Sequence, residues 1–322
     1  MVGYVVPLED LARADVQRCG GKAAGLGELH RAGLRVPPGF CITGDALTYL
    51  MDANSLADRI AGIAADLDFD DYDDVEAKTA RIRVLISAAT IPDDLMQQLV
   101  ERYRALVDDD NKFVAVRSSV AVKDSDVSSF PGMMDTYHYV LGEAQVLEKV
   151  SECWASLWTT RAAFARRHKN VPHHLGVIAP VVQRMVDAEL AGVLFTANPV
   201  TGNTDETVIQ ANWGLGESVV SGKSMNDFYV LDKGSLAVKE RRIVTKTMMV
   251  TMDKQSGSGR SERPIPADRA EAPTLSDLQL GELGEAGARI ERHFGFNADV
   301  EWAYRDDVLH ILQARKIQGL EA

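Results

Sequence analysis

DVEWAYRDDVLHILQARKI, residues 299–317, decides the architecture. It reads as two strands around an Arg-Asp-Asp turn, Arg305 to Asp307, and two strands joined so tightly must run antiparallel. Along such strands side chains alternate between faces. Glu301 and Gln313 then lie where their oxygens can face one another, with Arg315 two residues on and on the same face as Gln313. Carboxylate and amide oxygens are hard donors of the kind that hold Mg²⁺.

Working back from that hairpin, Ser276 reads as the N-cap of a helix running through Phe294. Residues 253–274, DKQSGSGRSERPIPADRAEAPT, form the one segment of low hydrophobicity, which predicts a surface loop. VKERRIVTKTMMVT (238–251) is hairpin-like. APVVQRMV (179–186), AGVLFTA (191–197), ETVIQANW (206–213) and DFYVLD (227–232) are short strand-like runs, several rich in β-branched residues and bounded by turns.

The first half differs. Residues 44–105 carry helical apolar spacing, and 146–168 (VLEKVSECWASLWTTRAAFARRH) reads as one helix. KFVAVRSS (112–119) is an apolar strand entering a polar turn. The loop after it, rich in Ser, Asp and Gly, returns to a strand at TYHYV (136–140). The acidic run 66–76 lacks the central Gly and closing Glu of a calcium loop, and reads as a solvated loop with helix-starting aspartates. Helices mixed with antiparallel strands give an α+β fold, without internal repeats.

The 322 residues suffice for one large or two moderate domains. A net charge of −12 argues against nonspecific binding to nucleic acid or to anionic membranes, but leaves room for a small polyphosphate in a local basic pocket. No apolar run is long enough to span a bilayer, and the first residues lack the pattern of a signal peptide, so a soluble cytoplasmic protein is expected. Cys19, Cys41 and Cys153 are widely spaced, form no metal pattern and are expected as reduced thiols.

A polyphosphate site needs close backbone approach, cations and oxygen ligands for magnesium. Gly20–Gly21–Lys22 offers N–H groups and an ammonium at a helix start. Arg117 ends a strand and precedes the hydroxyls of Ser118 and Ser119, where a guanidinium fork suits phosphate oxygens. Gly132 to Thr136 can fold over phosphates. Each signal is weak alone, since a lone lysine or arginine is usually a surface charge. GLGESVVSGKS (214–224) is one residue too long between its glycines for a P-loop. The histidines of RRHKNVPHH (166–174) lack a third ligand at useful spacing. No histidine sits in a Gly/Ser/Thr-rich loop of the kind that presents a nucleophilic imidazole.

Taken together, GGKAAGLGEL, VRSS, SSFPGMMDTY, WASLWTTRAAFARR, VVQRMV, GVLFTANPVTG, NWGLGES and DVEWAY…ILQARKI occur in order over nearly the whole chain. In this the chain resembles the N-terminal ATP-binding domain shared by phosphoenolpyruvate synthase, pyruvate phosphate dikinase and rifampin phosphotransferase. The resemblance implies an ATP-grasp-like fold with Mg-ATP held between two lobes, here 1–190 and 191–322. It implies that Lys22, Arg117 and Arg315 hold phosphates and that Gly132 and Thr136 belong to the loop covering them. Gln183 would lie near the adenine, and Glu301 and Gln313 would ligate Mg²⁺.

In such enzymes a histidine on a separate domain attacks the β-phosphate, AMP leaves, and the phosphorylated histidine visits a small-molecule acceptor. No such carrier or acceptor domain is recognisable here, so the expected partner is a histidine-bearing protein or domain, as for the related subunit of phenylphosphate synthase. Two other readings stay open: a self-sufficient ATP-grasp ligase releasing ADP, and a non-catalytic ATP-binding regulatory module.

Overall fold

The computed structural model describes residues 3–122, 136–222 and 224–319. The chain divides into two compact units, Met1–Gly27 with Pro38–Met185, and Glu28–Pro37 with Val186–Ala322. Helices and strands mix in both, as the α+β expectation requires.

The first half of the chain supplies β1 (Val5–Pro7), α1 (Val16–Arg31), β2 (Gly39–Ile42), α2 (Gly44–Ala53), α3 (Ala57–Ala65), α4 (Tyr72–Ser87) and α5 (Asp93–Leu106). There follow β3 (Phe113–Val122), β4 (Thr136–Leu141), α6 (Glu143–Ser156), α7 (Thr160–His168) and β5 (Gly176–Arg184). The strands form an antiparallel sheet in the order β1-β2-β5-β3-β4. Its helix-packed face joins Val114, Val116, Val120, Ile178, Val182, Phe40 and Ile42 to Val150 and Trp154 of α6 and to Ile82, Leu95 and Leu99. Burying each such side chain contributes about 1.5–3 kcal/mol, which makes this cluster the main source of the unit's stability. The alternate residues, among them Arg117 and Gln183, project from the other face.

The acidic run does start a helix. Asp71 caps α4 by accepting from the backbone N–H groups of Asp73 and Asp74. The single helix expected over 146–168 is two, because Thr159 turns extended and accepts from the Ala162 N–H, beginning α7 anew. A threonine hydroxyl competing for helical N–H groups is the physical reason.

The rest of the chain gives β6 (Leu190–Phe195), β7 (Glu206–Trp213), α8 (Glu217–Val220), β8 (Asp227–Asp232), β9 (Val238–Arg242), β10 (Met248–Met252) and β11 (Arg260–Pro264). It ends with α9 (Ala267–Ala270), α10 (Asp277–Phe294), β12 (Ala298–Arg305) and β13 (Val308–Lys316). Six strands form a sheet in the order β13-β12-β6-β7-β8-β9, with β10 and β11 as a separate pair. Ser276 caps α10 as its sequence predicts, and Gln279 adds the reciprocal half of a capping box. Leu280, Leu283, Ala286 and Ile290 are the buried face of that helix. At Gly287 a Cβ would stand 2.9 Å from Leu194, so glycine lets α10 lie close on the β6 face that carries Leu194. The opposite face carries Val193, Phe195 and their cross-strand partners.

Two segments depart from the sequence reading. The hairpin expected over 238–251 does not form: β9 pairs with β8, and β10 with β11. Between them Asp227 accepts from the Val244 N–H and from the Lys246 ammonium at 2.8 Å, which draws the chain inward instead of letting it turn back. The loop expected over 253–274 contains β11 and α9. A strand as polar as Arg260–Pro264 is held by its backbone ladder to β10, which hydropathy does not register.

Segment Glu28–Pro37 is tied to the second unit. Glu28 meets His293 at 2.8 Å, and the Ile311 N–H donates to the Arg35 carbonyl at 2.9 Å.

Candidate functional site

In the first unit, α1 is broken near its start, at Gly20 (φ 75°, ψ 165°). A Cβ there would lie 2.7 Å from the Val120 backbone nitrogen, so only glycine permits this approach to β3. The helix therefore begins afresh at Gly20–Gly21–Lys22. Its third N–H, from Ala23, donates to Ser119 Oγ at 3.1 Å. A serine from a strand thus does the capping that an N-cap side chain ordinarily does, since glycine has none. This fixes a helix N-terminus, with the positive end of its dipole, two residues along β3 from Arg117.

Arg117 is buried at 7% exposure and Gln183 at 3%. The Arg117 Nη1 donates to Gln183 Oε1 at 3.2 Å, which orients the guanidinium on the sheet face away from the α6 core. Thr136, the first residue of β4, stands directly opposite Arg117 and is half-buried. Lys22 is half-buried. Arg117, Gln183 and Thr136 therefore share one sheet face, and the Lys22 helix start abuts β3 at Ser119. Strand alternation sends the neighbouring Ser118 to the other face. Gly132 lies outside the described residues.

In the second unit, Glu301 and Gln313 are direct partners across β12 and β13, and Gln313 Nε2 donates to Glu301 Oε1 at 3.2 Å. A bulge between Glu301 and Trp302 shifts the register at this point. The turn joining the strands places Asp306 and Asp307 at φ 50° and 57°, the left-handed pair that matches strand twist in a two-residue hairpin. Arg315 pairs across the ladder with Asp299, and its Nε and Nη2 both lie 2.8 Å from Asp299 Oδ2.

Asp299 was not singled out by its sequence. Its signal was there: it lies two residues before Glu301, hence on the same face. Burial pushes the Asp299 carboxyl above its ordinary value, the Arg315 guanidinium opposes that shift, and the nearby Glu301 charge adds to it. Two carboxylates on one face, one of them already engaged by an arginine, form an acidic pair with a built-in counter-ion. Such a pair suits a divalent cation more than an anion.

Elsewhere the histidine-rich stretch has a structural role. Arg166 Nε donates to His173 Nδ1 at 2.9 Å, and His173 stacks on Phe69 at 5.8 Å between ring centroids. Burial and the neighbouring arginines hold the His173 imidazole down at about 4.

The profile of the family described as "Pyruvate phosphate dikinase, AMP/ATP-binding domain" matches residues 16–322. The chain belongs to that family. It is 40% identical over 321 residues to a probable phosphoenolpyruvate synthase of Methanocaldococcus jannaschii, covering 99% of this chain and 27% of that protein. It is 37% identical over 359 residues to the phosphoenolpyruvate synthase of Pyrococcus furiosus, covering 99% of this chain and 44% of that one. With a Streptomyces rifampicin phosphotransferase it shares 38% over 327 residues, 98% of this chain and 36% of the other. The chain thus spans less than half the length of these relatives. As a member of this family it is an AMP/ATP-binding domain. Among the described residues no helix is long and apolar enough to cross a membrane.

Proposed function

We propose that this chain is the ATP-grasp-like, ATP-binding component of a dikinase-type phosphotransferase. Mg-ATP donates its β-phosphate, carried with the γ-phosphate as a pyrophosphoryl group, to a histidine on a partner protein or domain. Once the γ-phosphate has left to water, the remaining phosphoryl group passes to a small molecule. A histidine nitrogen attacks the β-phosphorus, an N–P bond forms, and the bond from that phosphorus to the α-phosphate oxygen breaks with release of AMP.

The observation that carries the reading is the arrangement at β3. A buried guanidinium and a cross-capped helix N-terminus lie two residues apart on one strand, both suited to phosphate oxygens. Arg117 and Lys22 bind phosphates, with Thr136 beside Arg117. Gln183 fixes the guanidinium and presents its amide to the base. Gly132 is assigned to the covering loop by its place in the motif.

In the second unit Glu301 and Gln313 are the magnesium ligands. Their oxygens fit the hard-donor chemistry of that ion, and the bond from Gln313 Nε2 to Glu301 Oε1 holds the two side chains together. Magnesium, when bound, neutralises charge building on the phosphates. Arg315 contacts a phosphate while Asp299 holds its orientation. Catalysis of this kind rests on positioning and charge, so no side chain here needs to be a nucleophile.

The test is chromatography of nucleotides after incubation with Mg-ATP, with and without a candidate histidine-bearing partner. Binding without turnover alone, and AMP only with the partner, is expected. ADP formed by the chain alone would favour the ligase reading and refute this one.

A further inference from the structure

The sheet face that carries Glu301 continues past the residues assigned so far. Cross-strand partners run Gln313–Glu301, Glu301–Val193, Val193–Gln210, Gln210–Phe228. Partners directly opposite one another project to the same side. Gln210 therefore stands on the face opposite α10, two strands from Glu301. That separation is about 10 Å at the usual strand spacing, with only the small Val193 between.

Asn212 offers a contrast on the same strand and the same face. Its amide is consumed internally: Nδ2 donates to Ser218 Oγ, Ser224 Oγ and the Met248 carbonyl, and Oδ1 accepts from the Trp213 N–H. Asn212 is fully buried and structural. Gln210 is half-buried, its amide reaches solvent, and among the described residues nothing hydrogen-bonds its side chain. An amide placed between Val193 and Phe228 adds nothing to packing that a leucine would not. The Gln210 amide is therefore left available to a ligand on this face.

We propose that Gln210 is a further ligand-contacting residue, its amide N–H donating to a phosphate oxygen of the magnesium nucleotide held by Glu301 and Gln313. A glutamine side chain extended over Val193 would span about half the distance to Glu301, leaving room for a phosphate oxygen between the two. Glu301 is then flanked by two amides: Gln313 on one side as an oxygen donor, Gln210 on the other as an N–H donor. This rests on the functional reading above, and the controls separate the two.

Isothermal titration of Mg-ATP into the whole chain, with ATP plus chelator as reference, provides the test. Gln210→Ala is expected to weaken Mg-ATP binding about 10-fold, roughly one charge-assisted hydrogen bond, with the nucleotide-free melting temperature unchanged. Gln210→Glu keeps the volume but turns a donor into an anion, and is expected to weaken binding further. If the alanine variant melts early, the glutamate variant decides the matter. Binding by both variants within twofold of the parent, while Arg117→Ala loses binding, would overturn the role of Gln210 and leave the site reading intact. No Mg-ATP binding by the parent, or none lost in Arg117→Ala, would overturn both.

Discussion

The two units meet the problem of holding charge in opposite ways. In the first, Arg117 is sunk to 7% exposure with the Gln183 amide among its partners, on a sheet whose other face is the main core. In the second, Arg315 is half-exposed on a terminal hairpin and already salt-bridged to Asp299. A buried guanidinium suits phosphate oxygens, because its fork of N–H groups meets them away from competing water. A surface arginine on a carboxylate is a switchable contact worth little by itself. Under the proposed function the first unit would set affinity, and the second the response to magnesium.

The largest expected effect tests whether the second unit is as rigid as this scheme needs. Lys246 and Asp227 are both 0% exposed and 2.8 Å apart, and Asp227 also accepts from Thr274 N–H and Oγ. Asp227→Ala strands a buried ammonium and should cost about 3–5 kcal/mol, read by urea denaturation. Loss of less than about 1 kcal/mol would show the pair to be solvated, and the sheet it anchors to be looser than described.

Next comes Arg117→Ala, expected to weaken ATP binding about 100-fold, roughly 3 kcal/mol, both with and without magnesium. Glu301→Gln should instead abolish only the gain in affinity that magnesium brings, leaving metal-free binding unchanged in calorimetry. Equal losses with and without metal in Glu301→Gln would erase the division between the units. Asp299→Asn removes the counter-charge of Arg315, and about a twofold to fivefold change in Mg-ATP affinity is expected.

The smallest effect concerns His173. Its pKa is depressed in the folded state to about 4 from 6.5, so the native form resists protonation. Stability is then full above pH 6.5 and declines as pH falls towards 4, where it levels off. After discount for its partial exposure the loss is about 1–2 kcal/mol. His173→Gln should flatten that part of the profile in melts across pH 4–7. An unchanged profile would mean that Arg166 and His173 are not coupled.

Much of this was legible in order along the chain. Ser276 and Gln279 announce their helix, because capping chemistry is local. Glu301, Gln313 and Arg315 are legible because a short hairpin fixes its own register. Lys22 and Arg117 were legible only as parts of motifs. What joins the Lys22 helix start to β3 is Ser119 Oγ on the Ala23 N–H, a bond across 96 positions. Local pattern carries no trace of such a bond.

The same limit explains the misread stretch 238–251. Its residues suit a hairpin, but Asp227 takes Lys246 into the interior, and a buried charge goes where its partner is. Composition, helix caps, strand alternation and the hairpin turn were thus decided by neighbours within a few residues. Tertiary structure alone decided which strand face packs on α10, which arginine is buried and which lies at the surface, and that Asn212 is used up while Gln210 is not. Burial and hydrogen-bond partnership are properties of distant chain segments brought together, and those set the free energies that a site uses.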